Sequence, residues 1–71
     1  MAFHAYIIEK LWMIPDENRN AHGYESYGIT ITEEAAEAFC AAGKTFTQKD
    51  CWSLYDPMPE YRYKRVPILT T

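Results

Sequence analysis

The side chains with the clearest capacity for chemistry are carboxylates in the first half of the chain. Glu33 and Glu37 are four positions apart, so a helix would place both on one face, about 6 Å apart along its axis. Paired carboxylates catalyse glycoside hydrolysis, but there they lie on separate elements and flank a cleft. A chain of 71 residues has little room for such a cleft. The pattern therefore favours a non-catalytic role, and no enzyme activity is expected.

An electrostatic role is the alternative for these carboxylates. Residues 1–43 contain seven acidic and two basic side chains, whereas residues 44–71 contain three acidic and five basic ones. Carboxylates on a helix are spaced on a scale comparable to phosphates on a strand, so such a row suits a groove that binds nucleic acid. A solvated acidic face is the simpler interpretation, and the sequence leaves both open. The candidate partner-binding residues are Glu33, Glu34 and Glu37, supported by Glu25, Asp16 and Glu17 from neighbouring segments.

The remaining patterns that suggest a bound group fail on spacing or position. Residues 38–45 nearly match the phosphate-binding pattern G-x-x-x-x-G-K-[ST], but Ala38 replaces the first glycine. The Gly-Lys-Thr part also ends a predicted helix, whereas a phosphate loop opens one. The histidines and cysteines include no closely spaced pair of the kind that structural zinc needs. No cofactor and no metal are therefore expected. The potential ligands in question are His4, His22, Cys40 and Cys51.

Cysteine usage and hydropathy indicate the compartment. Two cysteines are few for a secreted domain of this length, which usually carries roughly four to eight. Charged residues interrupt the apolar run at residues 2–14, so neither a signal peptide nor a membrane span is expected. The default environment is a reducing cytoplasm in which Cys40 and Cys51 are both free thiols.

A basic strip near the C-terminus suggests a second function. Arg62, Lys64 and Arg65 interleave with Tyr61 and Tyr63, a combination that suits phosphate contact and base stacking. The helix–Gly43–helix stretch is compatible with a helix–turn–helix that has a wing at Tyr61–Arg65. Against this, its first helix is acidic and its second offers only Lys49, offset by Asp50. An ordinary basic edge strand, which discourages aggregation, is the simpler interpretation. The alternative function is a small DNA-binding transcriptional regulator that uses this strand.

Capping residues and apolar spacing divide the chain into elements. Thr32 before Glu33 and Glu34 predicts a helix N-terminus, because threonine caps well and acids suit the helix dipole. Gly43 is the natural stop of that helix. Its apolar stripe is expected at Ala35, Ala38, Phe39 and Ala42. The predicted elements are a strand at 2–14, a loop at 15–23, a strand at 24–31, a helix at about 33–42, a short helix at 48–55 or a strand at 51–55, a turn at 56–59 and an edge strand at 60–69.

These elements predict one α+β domain over residues 1–71, with a small antiparallel sheet of about three strands and one main helix on one face. The strand at 2–14 is apolar at both parities, which suits the centre of a sheet. The second strand is expected to place Tyr27, Ile29 and Ile31 on a single face. Apolar residues make up 48% and aromatic residues 15% of the chain, which excludes a disordered tail.

The chain resembles small phage-encoded anti-CRISPR proteins, especially inhibitors of type I systems. The resemblance lies in the length of 71 residues, a strand that opens directly after Met1 (AFHAYIIEKLW), one short acidic helix (TEEAAEAF) and many aromatic residues. It implies a stoichiometric protein inhibitor that acts in the cytoplasm of a bacterial host cell.

The resemblance also implies a partner. Some such inhibitors imitate DNA and block the target-binding channel of a guide-RNA surveillance complex, which is positively charged because it holds nucleic acid. The expected partner is therefore a type I CRISPR surveillance complex, and the acidic first 43 residues suit this role. We expect a monomer with no direct nucleic-acid binding and no membrane association. The net charge of −3 is modest, so mimicry depends on local clustering of carboxylates.

Overall fold

A three-stranded antiparallel sheet forms the centre of the molecule. The computed structural model describes residues 3–14, 21–50, 54 and 56–69. The elements are β1 (His4–Ile14), β2 (Ala21–Thr30), α1 (Glu33–Ala41), β3 (Thr45–Phe46), β4 (Met58–Pro59) and β5 (Tyr61–Pro67). The central sheet has the order β2–β1–β5, and β3 pairs with β4 in a separate ladder. The predicted α+β architecture, with one helix packed on a three-stranded antiparallel sheet, is confirmed.

β1 is the central strand because it offers apolar side chains to both faces of the sheet. Ile8 is opposite Tyr63 of β5, whose hydroxyl contacts α1, so this parity of β1 lies on the helix side. Ile8 is 2% exposed there. Ala5 and Leu11 have the other parity and are buried on the reverse side. The pairing of β1 with a strand on each edge confirms the central position that its two apolar parities predict.

β2 begins earlier than the sequence predicts. Of the loop predicted at 15–23, residues 21–23 belong to β2 and pair with β1, while residues 15–20 lie outside the described part of the chain. The loop prediction was wrong for 21–23 because a polar segment forms a strand when its neighbour supplies ladder hydrogen bonds. The Trp12 ring also packs closely on Gly23, where an added Cβ would lie 2.9 Å from the ring.

A β-bulge changes which side chains of β2 share a face. The register of the β1–β2 ladder shifts between Ile8 and Glu9, and Tyr27 is the extra residue. Tyr27 contacts aromatic rings of α1 and β5 on the helix side. Ile29 instead pairs with Ile7 on the reverse side. The prediction that Tyr27 and Ile29 share a face was therefore wrong, because a bulge interrupts the period-two alternation.

α1 forms where its cap predicts but buries a different face. Thr32 Oγ1 accepts a hydrogen bond from the Ala35 amide at 3.2 Å, and the helix spans Glu33–Ala41, which confirms the prediction to within one residue. Its buried residue is Ala36, which is 0% exposed. The predicted stripe agrees with the packed face only at Phe39, which contacts Tyr61 of β5, because four alanines spread over much of the helix surface give weak apolar contrast. The other members of the predicted stripe, Ala35, Ala38 and Ala42, are exposed.

Gly43 follows the C-cap Ala42, as predicted, but for a different physical reason. None of the glycines has a positive φ, so left-handed backbone is not what requires glycine here. A Cβ on Gly43 would lie 2.6 Å from Cδ2 of Tyr61. The end of α1 therefore approaches β5 so closely that a side chain at this position would have to displace the Tyr61 ring.

The C-terminal half contains two short strands that the sequence did not predict. β3 pairs with β4 where a turn was expected at 56–59. Residues 48–50 form a turn, and residues 51–53 and 55 of the predicted helix or strand lie outside the described residues. β5 falls within the predicted 60–69 and is an edge strand, as expected. Within the described ranges, no helix has the length and apolar character required to cross a membrane.

We expect Gly43→Ala to lower the free energy of unfolding by about 1–3 kcal/mol, the usual cost of overpacking. The new methyl group would displace the Tyr61 ring, whereas a Cβ at Gly28 meets nothing within 4 Å. Urea denaturation of Gly43→Ala beside the matched variant Gly28→Ala tests this expectation. Equal effects of the two variants would show that the close approach to Tyr61 is unimportant.

Candidate functional site

A single phenol joins the helix side of the sheet to α1. The Tyr63 hydroxyl lies 3.2 Å from Oε1 of Glu33 and 3.2 Å from Oε1 of Glu37. A phenol has one proton to donate, so the two carboxylates share it. The Tyr6 ring packs edge-on against Tyr63 with centroids 6.0 Å apart, which supports the phenol from β1. Glu33 and Glu37, one helical turn apart, are therefore held side by side.

The surroundings of Tyr63 make its phenol a weak acid. Partial burial, followed by the negative charges of Glu33 and Glu37, raises the pKa of Tyr63 to about 12. An ionised phenol would be desolvated and would also face two carboxylates, so the neutral form is favoured. The hydroxyl, which any phenol keeps at neutral pH, therefore remains a hydrogen-bond donor further into the alkaline range than an ordinary tyrosine.

The carboxylates of α1 have no cationic partner among the described residues. Both ion pairs in that part of the chain use Glu9 instead, whose Oε1 lies 2.9 Å from Arg62 Nε and whose Oε2 lies 3.8 Å from Lys64 Nζ. α1 contains three acidic residues and no basic residue. Its negative charge therefore acts outward, on solvent or on a binding partner. The acidic residues of α1 are Glu33, Glu34 and Glu37.

The structure brings together only part of the predicted acidic surface. The three helix carboxylates share α1 and are exposed. Glu25 is exposed on β2 in register with Lys10, and none of the hydrogen bonds or ion pairs of the described residues joins Glu25 to α1. Asp16 and Glu17 lie outside the residues that the structure describes. The candidate surface is accordingly centred on α1.

The predicted basic strip is divided between the two faces of the sheet. Arg62 and Lys64 pair with Glu9 on the reverse side. Tyr61, Tyr63 and Arg65 alternate with them and lie on the helix side. The tyrosines and the two Glu9-bound cations therefore do not form the single surface that phosphate contact and base stacking would require.

An aromatic cluster adjoins the acidic helix, and no sequence pattern predicted it. The centroids of Tyr27 and Tyr61 lie 5.9 Å and 4.8 Å, respectively, from that of Phe39, and the two tyrosines are 5.4 Å apart. Tyr27 is 55% exposed and Phe39 39%. Tyr61 precedes Tyr63 by two residues on β5, so the cluster lies about 7 Å along the strand from the phenol. The only sequence signal for an exposed aromatic surface was the large number of aromatic residues in the chain.

Other candidate chemistry is limited to one thiol. Cys40 of α1 is a free, half-buried cysteine, and burial raises the pKa of its thiol, which makes it a weaker nucleophile. Cys51 lies outside the described residues. Within the part of the chain that the structure describes, no three His, Cys, Asp or Glu side chains group as metal ligands would. The Gly-Lys-Thr segment follows the end of α1, as the sequence predicts.

Comparison with known proteins finds no relative for this chain. No protein-family model, no curated protein and no solved structure matches it. A functional assignment therefore depends on the contacts and charges of the surface that α1 presents.

We expect the stability difference between the wild type and Tyr63→Phe to depend on pH. The pKa of Tyr63 is higher in the folded chain, about 12, than its ordinary value of 10.0. The resulting stabilisation is fully present below about pH 10 and is lost as the pH rises through the folded pKa, because the unfolded chain loses its proton first. Urea unfolding at about pH 8 and about pH 11 should therefore show a smaller difference at the higher pH.

A charge-neutral variant separates the two causes of this shift. In Glu33→Gln/Glu37→Gln the amide oxygens still accept from Tyr63, but the negative charges are gone. We expect the pKa of Tyr63, from tyrosinate absorbance with Tyr63→Phe as reference, to fall below 12 but stay above 10.0 because burial remains. An unchanged pKa would contradict the charge contribution.

Proposed function

We propose that this chain is a stoichiometric protein inhibitor that binds a bacterial type I CRISPR surveillance complex and blocks target DNA binding. The observation that supports this proposal is the uncompensated acidic surface of α1. Glu33 and Glu37 are fixed by Tyr63, and Glu34 adds an exposed charge in the same turn. The resemblance to small phage-encoded inhibitors supplies the partner.

The mechanism we propose is electrostatic occupation of a nucleic-acid channel. Such a channel is lined by cations because it holds a phosphate backbone. Carboxylates that are already positioned lose little conformational entropy on binding, so the shared Tyr63 proton favours association. The carboxylates need no release from an internal ion pair, because the described ion pairs engage Glu9 instead. The inhibitor would act as a monomer in the bacterial cytoplasm, without contacting DNA itself and without catalysis.

The alternative function, a DNA-binding regulator, has weaker support. It relies on Arg62, Lys64 and Arg65, of which two are engaged by Glu9. Arg62 also lies over the Tyr24 ring at 3.8 Å, which further restricts its access to a phosphate.

A competition gel shift tests the proposed function. A guide-loaded type I surveillance complex and its labelled target duplex are titrated with this protein, beside lanes that contain protein and duplex alone. We expect loss of the complex–target band and no shift in the control lanes. A complex–target band that persists at saturating protein would contradict blocking. A shift in the control lanes would favour the regulator instead.

We expect charge reversal on α1 to weaken inhibition. Glu34 lies in the first turn of α1, so Glu34→Lys changes the surface charge and leaves the Tyr63 contacts in place. The concentration for half-maximal displacement should rise about tenfold, equivalent to about 1.4 kcal/mol. Asp56→Lys makes the same charge change at an exposed position outside α1 and serves as the control. Equal effects of both variants would indicate sensitivity to net charge and not to the helix surface.

A further inference from the structure

We infer that the exposed rings of Tyr27 and Phe39 receive arginine side chains of the protein partner. This inference rests on the proposed function, since it names the side-chain chemistry that the same surface recognises. The two rings are 55% and 39% exposed, and both contact the ring of Tyr61 on β5. They lie on the same side of the sheet as the helix carboxylates, which Tyr63 contacts two residues further along β5.

The molecule already contains a site of this composition on its reverse side. The guanidinium carbon of Arg62 lies 3.8 Å from the centroid of the Tyr24 ring. Its Nε lies 2.9 Å from Oε1 of Glu9. One ring and one carboxylate thus hold an arginine there by cation–π stacking and a charged hydrogen bond. The helix side also presents rings and carboxylates, with Tyr61 of the cluster and the Glu-bound Tyr63 about 7 Å apart along β5, and no arginine stacks on its rings among the described contacts.

The basic residues on the helix side leave this surface available. Lys10 Nζ lies 5.5 Å from the Tyr27 centroid, near the outer limit of about 6 Å for a cation–π contact. This contact shows that the ring attracts a cation but does not cover it, because Tyr27 is still 55% exposed. Arg65 lies beyond Tyr63 on β5, on the far side from the aromatic cluster.

The chemistry favours arginine over lysine. A guanidinium is planar and weakly hydrated, so it stacks on an aromatic face while its edge donates to a carboxylate. An ammonium is compact and strongly hydrated, and it gains less from stacking. The surface should therefore distinguish two peptides of identical charge, which a purely electrostatic surface would not do.

Fluorescence anisotropy with labelled nona-arginine and nona-lysine, at one ionic strength, tests this inference. We expect the full chain to bind nona-arginine roughly two- to fivefold more tightly, the range for exposed cation–π contacts. Tyr27→Leu/Phe39→Leu keeps apolar bulk and removes the rings, so the preference should disappear. Phe3→Leu alters an aromatic residue of similar exposure, 56%, outside the cluster and should retain the preference. Glu34→Gln should weaken the binding of both peptides by the same factor.

Two results would overturn the inference: equal affinity for both peptides, or an arginine preference that survives in the double variant. If circular dichroism shows that the double variant is unfolded, the single variant Tyr27→Leu replaces it. We expect this variant to show a reduced preference for arginine, and an unchanged preference would contradict the inference. The gel shift is independent of this outcome. If the chain prefers arginine but does not displace target DNA, the inhibitor proposal is rejected and the arginine-binding surface is kept. If it displaces target DNA but shows no arginine preference, the inhibitor proposal is kept and the arginine-binding surface is rejected.

Discussion

The surface that this molecule presents depends on the packing of α1 against β5. The Tyr63 hydroxyl donates its one proton to Glu33 and Glu37, Ala36 is fully buried, and the Phe39 ring contacts Tyr61. A nine-residue helix with four alanines has little apolar contrast of its own, so these contacts together set which face turns outward. The acidic and the aromatic parts of the candidate surface therefore have a common structural origin.

Local signals predicted the elements that local chemistry determines. Thr32 and the acids after it located α1, and the apolar residues at both parities of β1 identified the central strand. The three helix carboxylates could be grouped in advance because helical spacing alone brings them together. The hydrogen bonds from Tyr63 could not be predicted in the same way, because the phenol is 26 residues from Glu37 and 30 residues from Glu33 along the chain. Such long-range pairs depend on strand register, which composition does not specify.

The remaining departures have the same cause. The pairing of residues 21–23 with β1, the bulge at Tyr27 and the close approach of Gly43 to Tyr61 all arise from contacts between distant segments. The register of β5 also gives its two faces different contacts. Arg62 and Lys64 pair with Glu9 on the reverse side, and the tyrosines lie on the helix side. The alternation of this strand, Tyr61, Tyr63 and Arg65 against Arg62 and Lys64, was readable from the sequence, whereas the partner of each face was not.

The bulge in β2 has a consequence for how this surface can vary between related chains. Ser26 and Gly28 are opposite consecutive residues of β1, so a chain one codon shorter at position 27 would retain every other pair of the ladder. Insertion or deletion of one residue at this point thus changes the length of β2 without changing its pairing register with β1. Evolution can add or remove an aromatic side chain beside the acidic helix here while the strands on either side keep their partners.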